Sequence, residues 1–327
     1  MTSPRIALFA DQGSPQILEI QEAVTAEGGR PRVLNLQLGG ESAPLVSVDP
    51  SRLRWDGVDF TGIHALHIRC TVPNTLPSLP PVMNRGMYAE MQAVYLREQE
   101  IQAVVYSFFE EFEARGGLVV NPLTGGYIDH DTKTQLYEKL RARGFEVPAC
   151  LTTNRPEEAE AFIRAHGEVV VKPAVGVGST RLITEPDLQA LDRIRHCPVL
   201  LQERVRGDTL RVHLVGDKVV MPLRIIAEGL DSRTGTRGFE PVRMPEKEER
   251  RIVAAHRLLG LHYSAWDVIA AEDGRTVYLD CNSGPYVMWI GPAYRTRVFR
   301  QLARYLVAFA RSGDLGKASE AVEAWKP

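Results

Sequence analysis

Apolar and polar positions fall into blocks that mark out the elements of the chain. Residues 5–10, RIALFA, form a short apolar run ending at the polar turn DQGSP. Ile17, Leu18, Ile20 and Val24 then recur at helical steps until Gly28 and Gly29, and a second apolar run, PRVLNL, follows. Strand, helix and strand in that order predict a parallel α/β unit. Residues 63–70, IHALHIRC, read as a third strand, followed by a proline-rich loop over 73–85. Met87, Met91, Val94, Ile101, Val104, Val105, Phe108 and Phe112 recur every three or four residues. That spacing predicts a long amphipathic helix with room for one break, ended by Gly116 and Gly117. LVVNP is a fourth strand, and the first domain is expected to close at residue 121.

Beyond it, residues 131–144 read as a helix stopped by glycine, PEEAEAFIRAHG as a second, and EVVVKPA as a strand running into the loop VGVGST. The strands RLIT and VLLQERV bracket a helix at 187–195. LRVHLVGDKVVMPLRII holds two β runs joined at Gly216 and Asp217, which is a hairpin signal. Residues 229–241, rich in Gly and Arg, are expected to be a mobile loop. A helix over 248–260 and a second hairpin, WDVIAAEDGRTVYLDCN, follow. Tyr294, Val298, Leu302, Leu306 and Phe309 put one stripe on a helix over 293–310, and the chain after Ser312 is expected to be poorly ordered. The expected division is 1–121, 122–205, 206–311 and a tail, 312–327.

Composition narrows the function. The 327 residues are 44% hydrophobic and 24% charged, with 39 Lys plus Arg against 41 Asp plus Glu, a net charge of −2. That balance excludes a strongly basic nucleic-acid binder. No apolar run approaches the ~18 residues of a membrane span, and the run at 6–10 is too short for a secretory signal. Cys70, Cys150, Cys197 and Cys281 stand apart with no C-x-x-C pair, so neither a disulfide framework nor a zinc site is indicated. A cytoplasmic protein with reduced thiols is expected.

Two phosphate-loop patterns fail on inspection. Gly125 and Gly126 precede Lys133 and Thr134, but Thr132 stands where a Walker A loop needs glycine. Gly176 and Gly178 lack the third glycine of a dinucleotide fingerprint. VVVKPAVGVGSTR, residues 169–181, suits a nucleotide clamp better. Lys172 supplies a point charge at a strand end, and the backbone of the loop through Ser179 and Thr180 offers N–H groups to phosphates. On this segment alone a surface hairpin with an incidental lysine is the stronger reading. In the last hairpin, Asp267 and Asp280 are equidistant from a turn at Asp273 and Gly274, and Asn282 shares a face with Asp280. Three hard oxygen donors at one spot suit Mg²⁺; a pair of exposed hairpin acids is the alternative. Arg211 and Arg224, on the preceding hairpin, suit phosphate or carboxylate unless they are simply solvated. His213 reads as a structural histidine.

Four segments in order, NPLTGGYIDHDTKTQLYEKLRARGFEVPACLTT, EVVVKPAVGVGSTRLIT, LLQERVRGDTLRVHLVGDKVV and WDVIAAEDGRTVYLDCNSGP, resemble the ATP-grasp superfamily, and within it the RimK-like carboxylate–amine ligases. The resemblance spans roughly residues 121–311. It implies an ATP-grasp fold, α/β in the wider sense with α+β parts, behind an N-terminal parallel α/β domain. It also implies that Lys133 and Lys172 contact ATP phosphates, with Ser179 and Thr180 in the covering loop. Gln202, Glu203 and Val205 would hold adenine and Asp208 the ribose. Asp267, Asp280 and Asn282 would hold Mg²⁺, and Arg211 and Arg224 would face the triphosphate and the acceptor carboxylate.

Three segments depart from the family pattern. Thr180 and Arg181 stand where a further glycine is usual, Asp280 stands where Glu is commoner, and Tyr286 stands at the end of the N-x-x-P-G motif, where it would shape a different acceptor pocket. The implied reaction joins a carboxylate to an amine or hydroxyl through an acyl phosphate, on a peptide or small molecule, without nucleic acid or membrane. A homodimer or homotetramer is compatible with it. A kinase on the same fold and a nucleotide-binding regulator without turnover remain alternatives at this stage.

Overall fold

The computed structural model describes residues 3–10, 13–36, 44–69, 85–123, 133–174, 180–229 and 235–326. Ser179, most of the glycine loop (175–179), residues 70–84 of the proline-rich segment and residues 230–234 lie outside the described residues. The chain packs as two compact units, Met1–Leu123 with Phe299–Val322, and Thr124–Val298 with Glu323–Pro327.

In the first unit, β1 (Arg5–Ala10) is buried from Ile6 onward and pairs in parallel with β2 (Arg30–Asn35) and β6 (Ile63–Ile68). β7 (Leu118–Val120) adds to β6, giving the all-parallel order β2-β1-β6-β7. Helix α1 (Pro15–Ala26) starts with Pro at its first turn, and Gly28 beyond it takes φ +81°, which only glycine adopts at low cost. Helix α2 (Arg85–Ala114) runs unbroken for 30 residues, without the break its pattern allowed. Its C-terminal half buries Val105, Phe108, Phe109 and Phe112 against Phe9, Trp55 and Phe60. The rings meet edge to face, as for Phe9–Trp55 at 4.7 Å and Phe60–Phe108 at 4.8 Å.

Trp55 belongs to a small antiparallel sheet that the hydrophobic pattern does not announce: β3 (Val46–Val48), β4 (Leu53–Trp55) and β5 (Val58–Asp59). Beyond Ser312, where an irregular tail is expected, helix α8 (Leu315–Glu320) is capped by Asp314, whose side chain accepts from Lys317 N at 2.9 Å. Ala318 and Val322 are buried there, so the segment is held by packing rather than loose.

The second unit is built on two antiparallel sheets. The smaller has the order β10-β9-β11-β8, from β8 (Cys150–Thr153), β9 (Val169–Lys172), β10 (Arg181–Leu182) and β11 (Val199–Glu203). The larger has the order β14-β13-β12-β15-β16, from β12 (Gly207–Val215), β13 (Lys218–Ala227), β14 (Thr236–Pro241), β15 (Tyr263–Ala271) and β16 (Thr276–Asn282). Helices α3 (Lys133–Arg141) and α6 (Glu246–Leu258) share a core with it, where Leu136, Val212, Leu214, Ile252, Trp266 and Tyr278 are buried.

Two expectations change here. The helix expected at 187–195 divides into α5 (Glu185–Gln189) and a 3₁₀ turn (Leu191–His196). The segment 229–241, expected to be a loop, ends in strand β14, which pairs Phe239 with Ile225 and Glu240 with Arg224. The alternation there is masked by Gly235, Gly238 and two arginines. Gly207 opens β12 at φ +151°, and a Cβ on it would lie 2.2 Å from the Ala270 carbonyl, so only glycine allows β12 and β15 to approach this closely.

Three buried histidines and the half-buried His262 set an acid limit on stability. Burial lowers His67 to about 4, His256 to about 3 and His262 to about 4, and it lowers His213 well below its ordinary value. All are neutral in the fold at pH 7, whereas in the unfolded chain they take up protons below pH ~6.5. Stability is therefore full above pH ~6.5 and lost as pH falls toward ~4, by about 1–2 kcal/mol at pH 5 for each of His67, His256 and His262, with His213 acting in the same direction. A melting temperature that drops by several degrees between pH 7 and pH 5 is expected in a thermal scan; a flat profile would contradict it.

Candidate active site

A cleft of about 770 Å³ in the second unit gathers side chains from both sheets and from the first turn of α3. Lys172 leaves the end of β9, Gln202 the end of β11 and Lys133 the start of α3, while Arg211, Asp267, Asp280 and Asn282 come from the larger sheet. The register explains why the last four meet. Arg211 of β12 lies opposite Asp267 of β15, which lies opposite Asp280 of β16, so three strands contribute one charged row. The neighbouring row is His213, Ala265 and Asn282. Nearer the turn Ala270 pairs with Thr276, and Val268 with Tyr278. Leu279 is then the extra residue of a bulge, and it brings Asp280 into line with Asp267. The pairing of Asp267 with Asp280 is the one expected from the turn at Asp273 and Gly274.

Each acid is met by a cation. Lys133 Nζ lies 2.5 Å from Asp280 Oδ2, and Arg211 Nη1 donates to both Asp267 oxygens at 3.0 and 2.9 Å. Lys133 and Arg211 are only 5% and 6% exposed, so these pairs are desolvated and stronger than surface pairs. Burial pushes the Asp267 carboxyl up, Arg211 opposes that, and Asp280 across the ladder adds to it. Burial, then the neighbouring charge of Lys133, lowers Lys172 to about 8. A lysine so poised is short of negative charge, and phosphate oxygens would supply it.

The far wall of the cleft is the segment from Glu203 to Arg206 between β11 and β12. Glu203 accepts from Ala149 N at 3.0 Å, while Arg204 and Arg206 both pair with Glu168, at 3.0 and 2.7 Å. These contacts fix the backbone that lines the cleft with Val205. Below it Tyr137, fully buried on α3, donates to the Leu279 carbonyl at 2.8 Å, with Gln202 Oε1 3.2 Å away. Tyr137 thus ties α3, β11 and the β16 bulge together, a role that sequence reasoning missed. Thr180 also lines the cleft.

Two expected residues are placed elsewhere. Asp208 and Arg224 are absent from the cleft lining, and they pair with each other at 3.5 Å while Arg224 also meets Glu240 at 2.5 Å. Alternation along the strands is the reason. Thr209 and Arg211 point into the cleft, so Asp208 points away, and Ile225 and Ala227 line it where Arg224 does not. On β12 the cleft is lined by Thr209 in place of the expected Asp208. The side chains of Asp208 and Arg224 are 62% and 42% exposed. Asp208→Ala is expected to change nucleotide affinity less than about twofold and stability by under about 1 kcal/mol. Calorimetric titration with Mg-ADP checks this; a tenfold loss would restore Asp208 to the site. Tyr286 and Trp289, from the segment after β16, complete the lining.

Among the described residues no three His, Cys, Asp or Glu side chains form a metal cluster. A cation here would have two carboxylates and the Asn282 amide, and would complete its shell with phosphate and water. That is a poor zinc or calcium cage but a suitable Mg²⁺ donor set.

A two-sheet unit that closes one lysine-rich, acid-paired cleft defines an ATP-grasp protein. Residues 130–282 match the family described as ATP-grasp domain. A probable alpha-L-glutamate ligase 2 of Shewanella amazonensis is 26% identical over 211 residues, 60% of this chain and 69% of that protein. Among solved structures, the ATP-grasp ligase PsnB complexed with a phosphomimetic variant of its minimal precursor, Mg and ADP aligns with TM-score 0.80 and 24% identity. The alignment covers 95% of this chain and 100% of that one. The macrocyclase MdnC of Microcystis aeruginosa, bound with precursor peptide MdnA, aligns with TM-score 0.73 and 20% identity over 93% and 99%. Residues 130–282 form an ATP-grasp domain, and in sequence and fold the chain resembles ATP-grasp ligases.

Proposed function

We propose that the enzyme activates a carboxylate of a peptide or amino-acid substrate with ATP and joins it to an amine or hydroxyl. A carboxylate oxygen attacks the γ-phosphorus, the bond to the β-phosphate oxygen breaks, and ADP leaves. The nucleophile then attacks the acyl carbon, loses its proton, and inorganic phosphate departs. Within this scheme Lys172 and Lys133 offset charge on the phosphates, and Arg211, in the same row, offers its guanidinium to an anion. The segment 203–206 seats the adenine by backbone groups, and Thr209 faces the sugar. Mg²⁺, when held by Asp267, Asp280 and Asn282, would neutralise phosphate charge and orient the terminal phosphoryl group. The chain's task is positioning and neutralisation more than covalent catalysis.

The observation that carries the reading is the row Arg211–Asp267–Asp280–Lys133, two acids and two cations, facing Lys172 across one cleft. The cleft volume of about 770 Å³ lies in the upper part of the range for small-molecule sites, leaving room for an acceptor group beside a nucleotide. PsnB and MdnC, the solved neighbours, bind precursor peptides, which favours a peptide acceptor. The reading places the enzyme in the cytoplasm, where ATP is abundant and thiols such as Cys150 and Cys197 stay reduced. No helix among the described residues is long and apolar enough to cross a membrane.

The test is a screen of glutamate- and aspartate-containing peptides and free amino acids with Mg-ATP and hydroxylamine as the nucleophile. An accepted acid is expected to yield ADP and a hydroxamate in equal amounts. A stable phosphomonoester with no hydroxamate would point to a kinase instead.

A further inference from the structure

Arg211 is held in an incomplete way by its ion pair. Both contacts to Asp267 come from the single nitrogen Nη1, and Arg211 Nε is buried with no hydrogen-bond partner. One nitrogen is a pivot: it fixes where the guanidinium sits but not the plane in which the fork lies. The plane is set by another contact. The guanidinium carbon lies 5.1 Å from the ring centroid of Trp289, within cation–π range. Trp289 is itself fixed twice. Its Nε1 donates to the Tyr286 carbonyl at 2.6 Å, and Phe239 of β14 meets the indole edge to face at 5.0 Å and 85°.

We propose that Trp289 is the positioning residue for Arg211, and that the stack Phe239–Trp289–Arg211 aims the remaining guanidinium edge at the terminal phosphoryl group of the nucleotide. The inference rests on the proposed reading of the cleft as a nucleotide site. It adds a residue that supplies no donor of its own and acts through the plane of the arginine. It also gives β14 a purpose. The strand delivers Phe239 against the indole, so the far side of the hairpin from β13 is braced to the anion-binding end of the cleft. A guanidinium free to turn about Nη1 would still neutralise Asp267, but it would spend less time with its second nitrogen directed at phosphate.

The expected signature is a loss of discrimination rather than a loss of binding. Calorimetric titrations with Mg-ADP and with the Mg complex of the non-hydrolysable analogue AMPPNP compare the unmodified protein with Trp289→Leu and Trp289→Phe. Trp289→Leu is expected to reduce the preference for Mg-AMPPNP over Mg-ADP about tenfold, consistent with a desolvated cation–π contact, with Mg-ADP affinity changed less than about twofold. Trp289→Phe keeps a ring face and is expected to retain most of the preference. A second readout needs no altered affinity. Trp289 is the one tryptophan lining the cleft, so Mg-AMPPNP should change the tryptophan emission of the unmodified protein and not that of Trp289→Phe. An unchanged preference in Trp289→Leu, an equal loss for both nucleotides, or an emission change that persists in Trp289→Phe would overturn the proposal. Failure of the unmodified protein to bind Mg-ADP at all would instead overturn the nucleotide reading on which it rests.

Discussion

Asp280→Asn is expected to lower the rate of ADP formation about 10²–10³-fold, on the scale of removing one preorganised electrostatic group from an active site. The change is isosteric, and the amide oxygen still accepts from Lys133, so the loss falls on charge and not on shape. Asp280 sits at the bulge after Leu279, opposite Asp267, and its carboxylate is the partner of a lysine only 5% exposed. Neutralising it leaves Lys133 with a weaker partner, and a modest fall in melting temperature should accompany the loss of turnover. Circular dichroism and a melt would show a folded variant. Lys172→Ala is expected to behave alike in turnover, since it removes a phosphate-facing charge from the other sheet. Near-normal ADP formation by a folded Asp280→Asn, Lys172→Ala double variant would remove the site assignment.

The second large effect is mutual dependence of metal and nucleotide. Lys133 and Arg211 pair with Asp280 and Asp267. A dication arriving alone must displace two buried cations and leave them without counter-charge, which costs several kcal/mol per uncompensated pair. Phosphates change the exchange, because they give Lys133 and the free edge of Arg211 a new counter-charge as the carboxylates take the metal. ADP is therefore expected to bind about 10–10²-fold more tightly with Mg²⁺ than with EDTA, within the usual span of site–site coupling. Mg²⁺ without nucleotide should give no binding heat at concentrations that saturate the complex. Equal ADP affinity in both buffers would show that the acid pairs are not the metal ligands.

Much of this was legible in the sequence because it depends on local pattern. The parallel unit followed from β1, α1 and β2, each an uninterrupted run with its stop signal in place. The two hairpins followed from Gly216 with Asp217 and from Asp273 with Gly274. The small sheet β3–β5 was missed because its strands are two or three residues long, too short for any period to show. Its one clear signal, Asp56 and Gly57 at φ 47° and 76°, is a hairpin turn that the pattern of WDGVD does contain. β14 was hidden by glycines and arginines whose strand identity comes only from pairing with β13.

The site was legible where chemistry and register coincide, and illegible where facing depends on one residue of phase. Asp267, Asp280, Asn282, Lys133, Lys172 and Arg211 do come together at one cleft. Asp208 and Arg224 do not, because resemblance by motif carries no information about which way a strand turns a side chain. Tyr137 and Trp289 act through packing and one hydrogen bond each, and such roles leave no motif behind.

The most direct measurement is a crystal structure with Mn²⁺ and AMPPNP, the metal located by its anomalous scattering. The account expects one manganese peak within bonding distance of the Asp267 and Asp280 carboxylates and the Asn282 amide, with Lys133 and Lys172 on the phosphates and the adenine against residues 203–205. Manganese lodged away from those three side chains, or a triphosphate bound outside the cleft, would contradict it.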